Sequence, residues 1–315
     1  MLMQLSNLNK IKLIMRILLF TFCFLSVQLF AQDDLMNMLE EETAAEAVPE
    51  KVSATFKGIK LINANTIETT KKKTLEFRIT HRFGNMQLGK SASTHSLGGL
   101  DNASNIRFSL DYGLTDNLSI GLGRSKTFEH IDGNLKWRFL SQKTSGMPIS
   151  AAYFTNVAVT PAVASDDRYD KVANRFSYTH QLIIARKFSP GISLEVLPTF
   201  IHRNLVDQSI VNIANNTVDE NDLISIGFAG RVKVSKRVAL VADYFLTISE
   251  FRDSDNGYYD PLSVGIEIET GGHVFHINVS NTAGIIENDF IPYSTDSWGD
   301  GNYKLGFNIS RVFNF

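Results

Sequence analysis

The chain carries one cysteine, Cys23, and seven prolines in 315 residues, and its formal net charge is only −2. After residue 31 it has no apolar run long enough to cross a bilayer as a helix. Each scarcity excludes a class. The cysteine lies within an apolar run at 17–30, "ILLFTFCFLSVQLF", preceded by Phe22 rather than a small residue, so it does not read as a lipidation site. With that run removed the chain has no thiol, hence no disulfide, no thiolate metal site and no cysteine nucleophile. A near-neutral charge advertises no basic surface for nucleic acid. The sparse proline leaves room for long strands.

What is present begins with a targeting segment. Lys10, Lys12 and Arg16 precede the apolar run, and Ala31 follows it, the order of a secretory signal peptide. The run is shorter than the roughly 20 residues of a spanning helix, which argues against an anchor. Cleavage after Ala31 removes three positive charges and no negative ones, moving the formal charge from −2 to −5. Met1, Met3 and Met15 are all candidate starts. Residues 32–51, opening "QDDLMNMLEEETAAEAVPE", read as an acidic flexible periplasmic arm. Residues 52–73 look extended, with Phe56, Ile59, Leu61, Ile62 and Ile67; an extra strand, a lumen plug and a periplasmic strap all remain open for them.

From Thr74 the chain becomes regular. Twelve segments alternate apolar and polar with period two: 74–83, 105–114, 117–128, 131–140, 147–159, 175–188, 192–203, 223–234, 238–249, 262–270, 273–280 and 302–315. The connections after even-numbered segments are tight, such as "TD" at 115–116, "SPG" at 189–191 and "GG" at 271–272. Those after odd-numbered segments are mostly long and polar, at 84–104, 160–174, 204–222, 250–261 and 281–301; the one near 129–130 breaks the rule. A sandwich has no reason to alternate short and long loops. A transmembrane barrel does, with short periplasmic turns, long extracellular loops and an even strand count. The expected fold is therefore an all-β, antiparallel, up-and-down transmembrane barrel of about twelve strands over 74–315, with both termini periplasmic in a bacterial outer membrane.

Facing agrees. Leu118, Ile120 and Leu122, then Ile224, Ile226 and Phe228, then Leu262, Val264, Ile266 and Ile268 form uninterrupted apolar faces. Charges fall between them, as they must if one face meets hydrocarbon, where a midplane charge costs about 2–4 kcal/mol. The lumen candidates are Glu76, Arg78, Arg82, Arg107, Asp111, Lys136 and Arg138, a mostly basic sector, and Asp243, Glu267 and Glu269, an acidic one. Two arrangements stay open: a narrow polar channel with a transverse field, or a filled interior in which these charges pair. Gly227, Ala229 and Gly265 leave room for either. Tyr112, Trp137, Phe139, Tyr153, Tyr178, Tyr244 and Phe313 are candidates for interfacial girdles.

The terminal segment, "KLGFNISRVFNF", ends on an aromatic residue, a hazardous free edge unless it pairs with the first strand. Phe307, Ile309, Phe313 and Phe315 resemble the C-terminal signal read by the barrel assembly machinery; Arg311 departs from it. A narrower resemblance lies in "FRITHRFG" (77–84), "GGLDNASNIRFSLDYGLTDNLSIGLGRS" (98–125) and "GNLKWRFL" (133–140). These stretches resemble a family of uncharacterised Bacteroidetes-type outer-membrane proteins, a membrane-bound β-barrel domain of unknown function. The resemblance implies fold and location over roughly 50–315, and it brings no activity.

Catalytic and metal signals are weak. Of the seven histidines only His273 and His276 are closely spaced, and a strand points them to opposite faces. Ser177, His180 and Asn156 could mimic an outer-membrane phospholipase triad, but their facings disagree. "DSDNGYYD" (253–260) misses the calcium-loop spacing by one residue and reads as a solvated loop. We expect no enzyme, no cofactor and no metal. The expected partners are outer-membrane lipid and lipopolysaccharide, the assembly machinery and a small polar solute. The expected function is passive passage of small hydrophilic solutes, with a non-conducting docking barrel as the alternative and a hydrolase a remote third.

Overall fold

The computed structural model describes residues 50–87, 91–161 and 167–315. The expected signal peptide, and all but the last two residues of the expected arm, lie outside the described residues. The alternating segments form β1 (Thr74–Asn85), β2 (Ala103–Thr115), β3 (Leu118–Ser125), β4 (Ile131–Leu140), β5 (Ser150–Val159), β6 (Phe176–Ser189) and β7 (Ile192–Arg203). A two-residue ribbon follows in a loop, β8 (Val211–Asn212) and β9 (Thr217–Val218). Then come β10 (Asp222–Lys233), β11 (Val238–Ile248), β12 (Leu262–Thr270), β13 (His273–Ser280) and β14 (Lys304–Asn314). Two short helices, α1 (Ser91–His95) and α2 (Glu287–Phe290), sit in long connections. No helix among the described residues is long and apolar enough to cross a membrane.

The twelve long strands form one closed antiparallel barrel, each hydrogen-bonded to its neighbours in sequence. Closure comes from β1 against β14, with Thr74 opposite Asn314 and Ile79 opposite Ile309. The last strand is therefore no edge, and its ladder groups are paired on both sides. Pairing between β6 and β7 lapses opposite Leu197 and Pro198, because proline brings no N–H to the ladder. The third strand is shorter than the sequence suggested. It stops at Ser125, and a 3₁₀ turn at Thr127–Glu129, with Phe128 at a φ of 53°, makes the connection whose length broke the rule.

Alternation places apolar side chains on the outside and polar ones inside. Leu122, Trp137, Ile224 and Val264 are exposed on the outer wall, whereas Glu76, Arg78, Arg82 and Lys136 are buried within. Near the chain terminus, Arg311 turns its guanidinium over the Phe313 ring at 5.0 Å, which keeps a charge on the outer face close to the barrel end.

A filled interior is what distinguishes this barrel. One cluster of buried apolar residues runs along β5, β6, β7, β10 and β11, including Phe154, Ile183, Leu197, Ile201, Val241 and Phe245. Packed against it are Phe56, Leu61, Ile62, Ala64 and Ile67, from the segment before β1. Gly227 does not open the lumen: the ring of Phe245 occupies the space where its side chain would be.

Spin labels at Val264 and Ile266 will collide with lipid-soluble oxygen and not with an aqueous nickel complex, while a label at Ser263, buried on the inner face beside Val264, will report neither strongly. Truncating Phe245 to Ala should lower stability by about 3–5 kcal/mol in thermal or denaturant unfolding, since the interior has no slack to collapse.

Candidate functional site: the filled lumen

Residues 50–73 enter and leave the barrel through its short-turn end. On entry, Val52 N–H donates to Gln142 O at 2.8 Å, and Lys187 Nζ donates to the carbonyls of Ser53 and Ala54. On exit, Thr69 Oγ1 donates to Asp116 O at 2.7 Å and Lys73 N–H to Gly113 O at 2.9 Å. Gly113 is required there: a Cβ would lie 2.0 Å from Lys71 O.

Between these straps the chain forms a hairpin inside the lumen. Thr66 N–H donates to Ile59 O and Leu61 N–H to Ala64 O, both at 3.0 Å, so the turn falls at Ile62 and Asn63. The two asparagines flanking Ala64 suit a tight turn. Of the three arrangements left open for this segment, it is inside the barrel rather than in the wall or beneath it.

Wall residues hold the hairpin by its main chain. The Asp243 carboxylate accepts from two successive amides, Asn63 N–H at 2.7 Å and Ala64 N–H at 3.1 Å. Asn308 Nδ2 donates to two successive carbonyls, those of Leu61 and Ile62. Lys136 Nζ donates to the carbonyls of Ile59, Thr66 and Glu68, at 2.8, 3.0 and 3.2 Å. Ser193 Oγ donates to Thr55 O at 2.6 Å. Side chains add to this: Arg82 and Ser263 engage Asn63, Gln181 engages Asn65, and Arg138 meets Glu68.

A second segment enters from the opposite end. The connection at 281–301 was expected to be an exposed polar loop. Instead Ile285, Ile286, Phe290 and Ile291 are buried, and the Phe290 ring packs edge-on to Phe245 at 4.8 Å. Those four apolar residues in an otherwise polar loop were the available signal. Gly284 permits the fold, because a Cβ there would meet Phe290 N at 2.5 Å. The inserted turn is polar where it meets the wall: Asn288 bonds Ser177, Thr179 and Asn156, and Asp289 pairs with His130 at 2.6 Å. The two insertions meet at Glu287, which takes Lys60 Nζ at 3.0 Å and Asn65 Nδ2 at 2.9 Å.

The lumen candidates are all inward, but they do not form two opposed sectors. Arg78 pairs with Glu76 on its own strand, and Arg107 takes Asp132 two strands away, with Nη2 at 2.7 Å from Oδ2. Arg231 binds Glu267 and Glu269 at 2.7 and 2.6 Å, and His276 also contacts Glu267. Charge is thus neutralised within each sector, because burial in a filled barrel makes an unpaired ion costly. Asp111 lines a small residual cavity together with Arg78, Arg107, Asn134 and Lys136. Lys136 and Asp243 are ions whose partners come mainly from the hairpin, whereas Arg82 divides its bonds between Asn63 there and Asn308 and the His81 carbonyl in the wall.

The triad that the sequence could suggest is not assembled. Ser177 and Asn156 face inward onto Asn288, while His180 faces outward beside Tyr153 and Thr155. The acids of 253–260 also have separate tasks: Asp253 caps the turn at Ser254–Asn256, and Asp260 takes Tyr244 Oη and Thr247 N–H. Tyr112, Trp137, Phe139, Tyr153, Tyr178, Tyr244 and Phe313 stand at outward positions of their strands.

Above the lumen, sequence reasoning missed a loop clasp. Asp219 accepts from Arg203 at 2.7 Å and from both terminal nitrogens of Arg252, and Arg203 also reaches Tyr293. Three long connections are thereby joined. Burial opposes the Asp219 charge, but hydrogen bonds from Arg252 and Arg203 outweigh it and hold the carboxyl below its ordinary range.

A closed antiparallel barrel of twelve strands, apolar without and ionised within, is an integral membrane protein of the outer-membrane type. The chain belongs to the family described as "Membrane bound beta barrel domain (DUF5777)", whose model matches residues 56–313. The match takes in the hairpin as well as the wall. No curated protein matches the chain. Among solved structures, it is similar to the NanC porin at 8% identity and TM-score 0.45, covering 76% of this chain and 99% of that one. It is similar to the KdgM porin at 7% and 0.41, covering 77% and 99%. The outer membrane protein Omp33 of Acinetobacter baumannii matches at 9% and 0.39, covering 79% and 100%.

Replacing Asp243 by Ala strands two buried amides, at about 1–3 kcal/mol, and should raise trypsin cleavage after Lys60 at least tenfold. The Asp219 contribution is complete above the unfolded carboxyl value near ~3.9 and is lost as pH falls through the lower folded value. Asp219→Asn should therefore loosen the loops at pH 7, read by proteolysis of 204–221, and the difference from the unaltered chain should shrink towards pH 2.

Proposed function

We propose that this protein is an outer-membrane channel for small polar solutes, closed in this conformation by the hairpin at 55–70, with no catalytic role. One observation carries the reading. The twelve-stranded ladder closes without the hairpin, yet the wall behind it keeps ionised groups, Lys136 and Asp243, at 2% and 1% exposure. Replacing buried ions by well-packed apolar residues is often neutral or stabilising, so a barrel that needed only filling has no use for them. Groups that water can solvate when the hairpin leaves suit a lumen that is wet part of the time. Lys136 and Asp243 would then face the passage, while Arg107 and the β12 glutamates stay paired with Asp132 and Arg231. Both termini would be periplasmic, since the short turns and the straps of 50–73 share one end. Phe307, Ile309, Phe313 and Phe315 would serve assembly, and the outward aromatics would lie among lipid and lipopolysaccharide.

Cysteines at Asn63 and Ser263, whose side chains touch at 3.0 Å, test the gate. The mature chain has no other thiol. In planar bilayers the untethered double variant should carry sub-nanosiemens current. A short bifunctional thiosulfonate should cut that current at least tenfold, and reductant should restore it. Current indifferent to the tether removes the hairpin as gate; a flat record in both states, and also in Ala64→Asp, which buries a new carboxylate in the apolar cluster, removes the channel.

A further inference from the structure

We propose that the lumen is a site for peptide main chain, and that short peptides with bulky aliphatic or aromatic side chains are the solutes that replace the hairpin. The proposal rests on the channel reading and names its substrate class. The hairpin is in effect a bound ligand, and the wall reads it as a peptide. Asp243 spans two successive amide N–H groups, and Asn308 spans two successive carbonyls, at the same turn. Lys136 gathers three further carbonyls from both arms, and Ser193 takes another. Donors and acceptors are placed at main-chain spacing, which any peptide can meet whatever its side chains.

The other half of the lumen sets the preference. Phe56, Leu61, Ile62 and Ile67 pack on an aliphatic wall that includes Ile183, Leu197, Ile201 and Val241. Such a surface rewards apolar side chains. The polar groups set among them are few, chiefly Gln181, Glu195 and Thr199, so a sugar with hydroxyls on every side would lose more hydration than it regains. An inorganic ion would use neither half. A long-chain carboxylate would fill the apolar side but leave Asp243 facing hydrocarbon. A short apolar peptide satisfies both halves at once. In the unaltered chain it must compete with the tethered hairpin, whose effective concentration is of order millimolar, so binding there is weak by construction.

The test uses the full-length chain in detergent and a fluorescent, end-capped Leu-Ile-Asn-Ala peptide, the hairpin's own tip, followed by anisotropy. Ala64→Asp expels the hairpin, and Ile62→Asp does so independently; trypsin cleavage after Lys60 verifies expulsion. The peptide should bind either variant at least tenfold more tightly than the unaltered chain. Adding Asn308→Leu should cost about tenfold. Unlabelled capped peptide should displace the probe, whereas maltotriose and decanoate at equal concentration should not. Equal competition by either compound, or indifference to Asn308→Leu, overturns the proposal. If neither variant folds, the unaltered chain decides: millimolar capped peptide should accelerate cleavage after Lys60 at least fivefold, and no acceleration overturns it. Peptide binding without bilayer current in the tether experiment removes the channel and leaves the site. Current without peptide preference does the reverse.

Discussion

Hydrocarbon offers no hydrogen bonds, so every backbone amide and carbonyl in the wall must find its partner within the wall. The pairing of β1 with β14 meets that demand, because it turns a sheet with two edges into one with none. Other features follow from it. Closure fixes an inside and an outside, and the period of two then assigns each residue to one or the other. Arg78 and Lys136 are inside because their neighbours Phe77 and Trp137 are outside. A slip of one residue in register would reverse every such assignment, which is why the β1–β14 match at Ile79 and Ile309 matters to the whole molecule.

Closure also creates the interior problem. Twelve strands enclose more space than their own side chains fill, unlike a barrel of eight. Here the chain supplies two inserts, one before the first strand and one before the last, and they meet at Glu287. Their packing divides the lumen into an aliphatic side and a polar side. Most charges on the polar side are neutralised by near neighbours, as Arg107 is by Asp132 and Arg231 by Glu267. Lys136 and Asp243 instead rely on the hairpin, so the groups that hold the insert are those that its departure would hand to water or to a solute.

Much of the wall was legible in the sequence. Segment order, the alternation of short and long connections, and the inward placement of Glu76, Arg107 or Asp243 all follow from local patterns. The misreadings share a cause. From sequence the loop at 281–301 reads as external, because it is mostly polar and lies between strands. Its buried residues, Ile285, Ile286 and Phe290, show no period, and nothing local tells an apolar loop residue whether it will meet solvent or Phe245. The two charge sectors look opposed in sequence because the partners of Arg107 and Glu267, Asp132 and Arg231, stand on alternate strands far along the chain. The Asp219 clasp joins residues from three connections, and no single stretch announces it.

What the sequence by itself determined is the wall: a twelve-stranded membrane barrel with its faces assigned, because facing is a local property repeated every second residue. What fills that wall was decided only by tertiary structure. Lys60 and Glu287 stand 227 positions apart, and Asn63 and Asp243 stand 180 apart. Contacts at such separations depend on which cavity closure creates and which segments can reach it, and no periodic pattern along the chain records that.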